Sequence, residues 1–293
     1  MLPTLVELDL PFGIKLPIYS YGLMMLVGFL AAYLLASRLA KGTGIKNGDI
    51  FDAGFVAIIA GIVGAKISYF MHSPDYFRFY MSDPIKNLAY LSGGLDFFGG
   101  LIAAVPAVLI YLLLKGYRPL AFGDIAVAGI AVGHAFGRIG CFLNGCCYGF
   151  QSDSSGLAFP SGSAVYFDHL DAGMISSYAI KSLPVFPSQL LESGLLFLLT
   201  LLLVGVFKSR KFAGRNLALY LMCYGIIRFV VQFTRADEAI QVGPLTIWHV
   251  VALGVVLSGV ALYFVAWKSG YAPSEFLRTP PEPAEVKDGP PQI

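Results

Sequence analysis

Long apolar runs broken by short polar ones set the pattern of this chain. Runs long enough to cross a bilayer lie at Ile18–Leu39, Ile50–Met71, Phe97–Leu114, Phe122–Leu143, Pro187–Phe207, Leu217–Phe233 and Leu245–Trp267. A spanning helix needs about 20 mainly apolar residues, within a range of about 17–25. The pattern therefore predicts an all-α membrane protein with seven spans. The run Leu217–Phe233 is the shortest and carries Arg228, which makes it the weakest on hydropathy alone. The segment from Tyr271 to Ile293 is rich in proline and charge and reads as a disordered tail, so residues 1–270 form the expected membrane domain and 271–293 the tail.

Composition agrees with a bilayer as solvent. The 293 residues are 57% hydrophobic and 13% charged, with a mean hydropathy of +0.72. A soluble domain carries about 25% charge. The formal net charge of +2 is too small to argue for nucleic acid, and basic residues matter here by position. Met1–Pro17 lacks a basic start followed by an apolar core, so no cleavable signal peptide is expected.

Basic residues assign a direction. With the N-terminus outside, the outer segments hold Lys15, Arg78, Lys86, Lys181 and Arg235, and the spans hold Lys66, Arg138 and Arg228. Every other Lys and Arg falls inside, including the cluster Lys208, Arg210, Lys211 and Arg215. The positive-inside bias thus favours N-outside, C-inside and an odd number of spans.

That direction gives each polar residue a depth. Lys66, His134, Arg138, Asn144, Arg228 and Gln232 fall in the outer halves of outward-running spans, or just beyond. Tyr19, Tyr21, Asp96, Gln189 and Glu192 open the inward-running spans. A charge within a span costs at least about 2.5–3.5 kcal/mol on insertion scales, so this convergence predicts a polar cavity. Two arginines in it suit a phosphate-bearing anion, because guanidinium is always charged and binds phosphate oxygens in pairs. Arg138 and Arg228 could instead be structural, paired with Glu192 or Asp96.

The fourth span shows how such a cavity is built. Gly129, Gly133 and Gly137 recur every four residues and smooth one face for a neighbouring helix. His134 and Arg138 share a face beside that seam. A Gly- and Cys-rich stretch, residues 140–149, follows. Three of the four cysteines, Cys141, Cys146 and Cys147, sit there. Together with His134 they lack the spacing of a zinc site, so small-residue packing is expected for them, with no metal and no cofactor.

The stretch Gly137-Arg-Ile-Gly-Cys-Phe-Leu-Asn-Gly-Cys-Cys-Tyr-Gly149 resembles the signature segment of the prolipoprotein diacylglyceryl transferases of bacterial inner membranes. Ser20-Tyr21-Gly22, Gly93-Gly94 through Phe98-Gly99-Gly100, Pro187-Ser188-Gln189 with Glu192, and Tyr224-Gly225 with Arg228 are similar to further family motifs. The resemblance implies seven spans and a periplasmic head at about residues 150–186. It also implies transfer of a diacylglyceryl group from phosphatidylglycerol to the lipobox cysteine of a prolipoprotein, with glycerol 1-phosphate released. On that reading Arg138 and Arg228 hold the phosphate, and Tyr21, Asn144, Gln189 and Gln232 bind the headgroup. Gly149, Gly99 and Gly100 let backbone approach the lipid. The chain departs from the family pattern at Phe98, Gln232, Cys141 and Cys146. Phe98 accepts no proton, so His134 and then Glu192 are the expected bases, unless the field of the arginines suffices. The rival classes are an inactive relative that only binds lipid, and a transporter. The latter is disfavoured because no inverted repeat is visible.

Overall fold

The computed structural model describes residues 4–10, 14–83, 94–209, 211–236 and 240–272. Gly93 and nearly all of the expected tail lie outside the described residues. The expected runs are all helical: α1 (Ser20–Leu39), α2 (Asn47–His72), α4 (Phe97–Leu114), α5 (Pro119–Asn144), α7 (Ser188–Lys208), α8 (Arg215–Gln232) and α9 (Ile247–Ser269). Six of these are long and apolar enough to cross a membrane; α8 is the one that is not. Its arginines, asparagine, glutamine and tyrosines lower its hydropathy. The chain is thus a mostly helical, multi-pass membrane protein.

Several small elements were not foreseen. An antiparallel hairpin of β1 (Thr4–Leu10) and β2 (Ile14–Tyr19) precedes α1, so Ile18 and Tyr19 belong to a strand rather than to the first span. Val6-Glu7-Leu8-Asp9-Leu10 does alternate with the two-residue period of a strand. Two short helices are added, α3 (Pro74–Ser82) and α6 (Ala164–Asp171), and β3 (Gln241–Val242) pairs with β4 (Leu245–Thr246) just before α9.

The chain divides into two compact units. The first comprises Met1–Leu39 and Gly123–Pro273. Its core is Val127, Ala128, Ala131 and Ala135 of α5 against Leu196, Leu199 and Leu203 of α7. Both stripes follow the helical period of 3.6. Helix α1 reaches α5 along the glycine seam: a Cβ on Gly28 would stand 2.9 Å from the Gly133 carbonyl, and one on Gly129 would stand 2.8 Å from that of Ala32. At the start of α8, the buried Asp124 carboxylate accepts from the N–H of Gly214 (2.8 Å) and of Leu217 (3.0 Å). It satisfies donors that a helix N-terminus always leaves open.

Among the described residues, the second unit comprises residues 40–83 and 94–122. Here α2 packs on α4. Asp96 caps α4 by accepting from the N–H of Phe98 (3.2 Å), and Ser68 Oγ donates to its other oxygen. Asp49 gathers Tyr117 Oη (2.7 Å), Lys115 Nζ (2.9 Å) and Tyr111 Oη (3.2 Å).

Candidate active site

Glu192 continues the buried stripe of α7, one turn before Leu196, at a position where the packing wants an apolar side chain. Burying a carboxylate is costly unless it is paired. Its partners come from the facing stripe of α5. Arg138 Nε lies 3.1 Å from Glu192 Oε2, and His134 Nε2 lies 3.8 Å from Oε1. The four-residue spacing of His134 and Arg138 puts both on the face toward α7, and Arg138 Nε also donates to His134 Nε2 at 3.3 Å. The ion pair is close, yet among the described residues neither carboxylate oxygen receives a well-directed hydrogen bond.

Unpartnered polar atoms surround this pair. Among the described residues Arg228 Nη1 is buried without an acceptor, although Arg228 lies within electrostatic reach of Glu192 and Tyr224. Gln232, one turn further along α8, and Gln189, near the start of α7, each bury a side-chain oxygen that receives no hydrogen bond from them. The Gln189 amide donates to the Cys146 carbonyl at 2.7 Å, which ties α7 to the loop after α5. Tyr224 completes the wall, its ring 5.4 Å from that of His134 and stacked on Tyr220. A buried polar group left unpaired costs about 1–3 kcal/mol. Several of them lie within about one turn of Glu192 or Arg228, which suits this part of the unit to a polar ligand.

His249 borders the same region, and sequence reasoning missed it. Its Nδ1 accepts from the Thr246 N–H at 3.1 Å, in a capping box that opens α9. That bond leaves the proton on Nε2, which is buried, unpartnered among the described residues and within electrostatic reach of Arg228. The readable signal was Thr246 three residues before a histidine at the head of an apolar run.

The loop after α5 is fixed by its backbone. Gly145 adopts φ +76°, the left-handed conformation that ends many helices. The Cys146 N–H then bonds back to the Cys141 carbonyl (3.1 Å) and the Gly145 N–H to that of Phe142 (3.2 Å), the two bonds of a Schellman motif. Beyond it, the Gly149 N–H donates to Phe186 O (2.9 Å), the Phe150 N–H to Thr234 O (3.0 Å) and Arg235 to the Cys147 carbonyl (3.2 Å). A Cβ on Gly149 would overlap Ser188 Oγ and the Thr234 carbonyl. Glycine therefore lets the loop join the ends of α7 and α8. The Schellman turn also does what linear spacing hid: the sulfurs of Cys141, Cys146 and Cys147 lie within 4.8 Å of one another.

The family model described as prolipoprotein diacylglyceryl transferase matches residues 10–265, nearly the whole chain and every element of this site. The chain belongs to that family. Curated relatives carry the corresponding name. Phosphatidylglycerol–prolipoprotein diacylglyceryl transferase 2 of Clostridium perfringens is 31% identical over 86% of this chain and 91% of its own. The enzyme of Clostridium tetani is 32% identical over 90% and 97%, and that of Finegoldia magna 33% identical over 86% and 91%.

Within this family member, the first unit holds Tyr21, His134, Arg138, Asn144, Gly149, Gln189, Glu192, Arg228 and Gln232. Tyr21 packs on Gly140, where a Cβ would stand 3.2 Å from its ring, and lies within electrostatic reach of Arg138. The Asn144 side chain lies within hydrogen-bonding reach of the Cys146 thiol. Gly99 and Gly100 belong to the second unit. The close approach they permit there is of α4 to α2: a Cβ on Gly100 would stand 3.0 Å from the Gly61 carbonyl.

Proposed function

We propose that this chain transfers the diacylglyceryl group of phosphatidylglycerol to the cysteine thiol of a prolipoprotein, forming a thioether and releasing glycerol 1-phosphate. The observation that carries the reading is the buried Arg138–Glu192 pair with Arg228 beside it, ringed by unpartnered polar atoms, in a chain whose relatives bear that activity in their names. Negative charge grows on the phosphate as the C–O bond breaks. Preorganised guanidinium groups in a water-poor site stabilise such charge without reorganising. Glu192 holds Arg138 in place, Arg228 offers a donor that no described residue consumes, and Tyr21, Asn144, Gln189 and Gln232 orient the headgroup. His134 and Glu192, both in contact with Arg138, are the candidates for the thiol proton.

The same reading puts the protein in the bacterial inner membrane with seven spans, α8 included, and with the N-terminus outside. The head at residues 150–186 and the site face the periplasmic leaflet, and the acceptor cysteine lies in a lipobox. The distribution of Lys and Arg supports this orientation.

The test follows a lipobox peptide by mass spectrometry after incubation with detergent-purified protein and phosphatidylglycerol. A diacylglyceryl mass gain that needs the peptide cysteine and is absent with Arg138→Ala is the expected result. Binding of phosphatidylglycerol without mass gain, in a well-folded wild type, overturns the transferase reading.

A further inference from the structure

Three thiols meet where α5 ends. Cys141 occupies the third position from the helix end and Cys146 the second position beyond it, the two places whose side chains the Schellman turn brings into contact. Cys147 then takes a left-handed conformation at φ 60°, the one such non-glycine residue among those described. All three cysteines are free thiols, and their sulfurs lie within 4.8 Å of one another. A tetrahedral zinc ion with Zn–S bonds of about 2.3 Å holds its sulfurs about 3.8 Å apart. Small side-chain rotations close that difference.

The surroundings suit a metal centre with an open position. Three thiolates on zinc carry a net negative charge, and the guanidinium groups of Arg138 and Arg235 lie within electrostatic reach of Cys147. Asn144 reaches the Cys146 thiol, and Gln189 and Arg235 hold the carbonyls of Cys146 and Cys147. Such outer contacts fix ligand orientation. Cys147 also lines a cavity of about 600 Å³ together with Gly149, Asp168 and His169, so one of the three cysteines borders open space.

We propose that Cys141, Cys146 and Cys147 bind one zinc ion, and that its fourth position, on the side of the Cys147-lined cavity, takes the acceptor thiol of the protein substrate. The inference rests on the transferase reading and supplies what that reading lacks. A free thiol has a pKa near ~8.5 and must ionise to attack. Arg138 already engages both expected bases. Zinc deprotonates a coordinated thiol outright, and three protein ligands with one open position is the arrangement of catalytic zinc. The thiol proton passes to solvent on coordination. The sulfur pair forms the S–C bond, the glycerol C–O bond breaks, and its electrons leave with the phosphate held by Arg138 and Arg228. The neutral thioether is a weak ligand and departs. No oxidant or reductant is needed.

The experiment measures metal content, then the fourth ligand. Protein purified under reducing conditions, equilibrated with zinc and dialysed, is expected to keep one zinc per chain. The Cys141→Ser/Cys146→Ser/Cys147→Ser variant keeps none while still binding phosphatidylglycerol, and Cys223→Ser keeps its zinc. With cobalt in place of zinc, the thiolate-to-cobalt absorption is expected to grow on adding a lipobox peptide and to stay unchanged with its Cys→Ser analogue. A wild type that holds no zinc, or that closes a disulfide among these cysteines under the same conditions, overturns the site. An equal cobalt response to both peptides overturns the fourth-ligand role. Mass gain from zinc-free wild type sinks this inference and leaves the transferase reading standing. Zinc binding and a peptide-specific cobalt response without thioether product sink the transferase reading and leave the site standing.

Discussion

Asp124 and Glu192 are both carboxylates with no exposed surface, and both belong to the first unit. Their surroundings differ. Asp124 accepts two backbone N–H groups at the start of α8, and Asn216 beside it donates to the carbonyls of Leu203 (3.0 Å) and Asp124 (3.4 Å). Of that cluster, only Asn216 Oδ1 is left without a partner among the described residues. Glu192 instead faces arginines, with unsatisfied atoms on Arg228, Gln189, Gln232 and His249 around it. A polar cluster that satisfies itself holds helices together; one that leaves donors and acceptors open waits for something else to fill them.

The comparison breaks most sharply at Arg228. Its Nη1 has no hydrogen-bond partner among the described residues, so Arg228→Ala should cost little stability but lower diacylglyceryl transfer about 100–1000-fold, the usual loss on removing one donor to developing charge. Transfer rate and melting temperature, measured together, check this. Asp124→Ala should do the reverse. It leaves two helix-terminal N–H groups buried and unpaired, at a loss of about 2–4 kcal/mol by the usual penalty for orphaned donors, while the rate per folded molecule stays unchanged. Thermal unfolding in detergent reads the first and active-site titration the second.

Gly149→Ala lies between these extremes. The added methyl collides with Ser188 and the Thr234 carbonyl, and overpacking of this kind costs about 1–3 kcal/mol. The loop must shift relative to α7 and α8, so transfer should drop roughly tenfold, with part of the strain visible as lost stability. The smallest effect is expected from pH around His169, in the proposed head. Burial holds the His169 imidazole below its usual pKa, and its Nδ1 accepts from the Leu183 N–H at 3.2 Å. A depressed histidine pKa means that the unfolded chain binds the proton more readily. Head stability is then full above about pH 6.5, the unperturbed value, and declines as pH falls below it. Hydrogen exchange at residues 159–185 should show that decline, weakened in His169→Gln.

Much of this architecture was legible in the sequence because a bilayer imposes long apolar runs, and hydropathy reads them directly. The α5 glycine seam and the pairing of Arg138 with Glu192 were also within reach, since spacing on a helix fixes which residues share a face. Three things were not. The β1–β2 hairpin is short and its alternation weak beside the apolar run that follows. His249 sits in a capping geometry that a hydropathy profile ignores. The cysteine cluster depends on one left-handed glycine, Gly145, which folds Cys146 back onto Cys141; a ligand search that counts linear spacing does not see a turn of that kind.

Retention of phosphatidylglycerol, read by native mass spectrometry in wild type, Arg228→Ala and Asp124→Ala at matched folded concentration, decides whether the open polar cluster holds the headgroup. Wild type and Asp124→Ala are expected to hold the lipid, and Arg228→Ala to lose it. Retention by Arg228→Ala equal to wild type, with transfer undiminished, would contradict the assignment of the open polar cluster as the headgroup site.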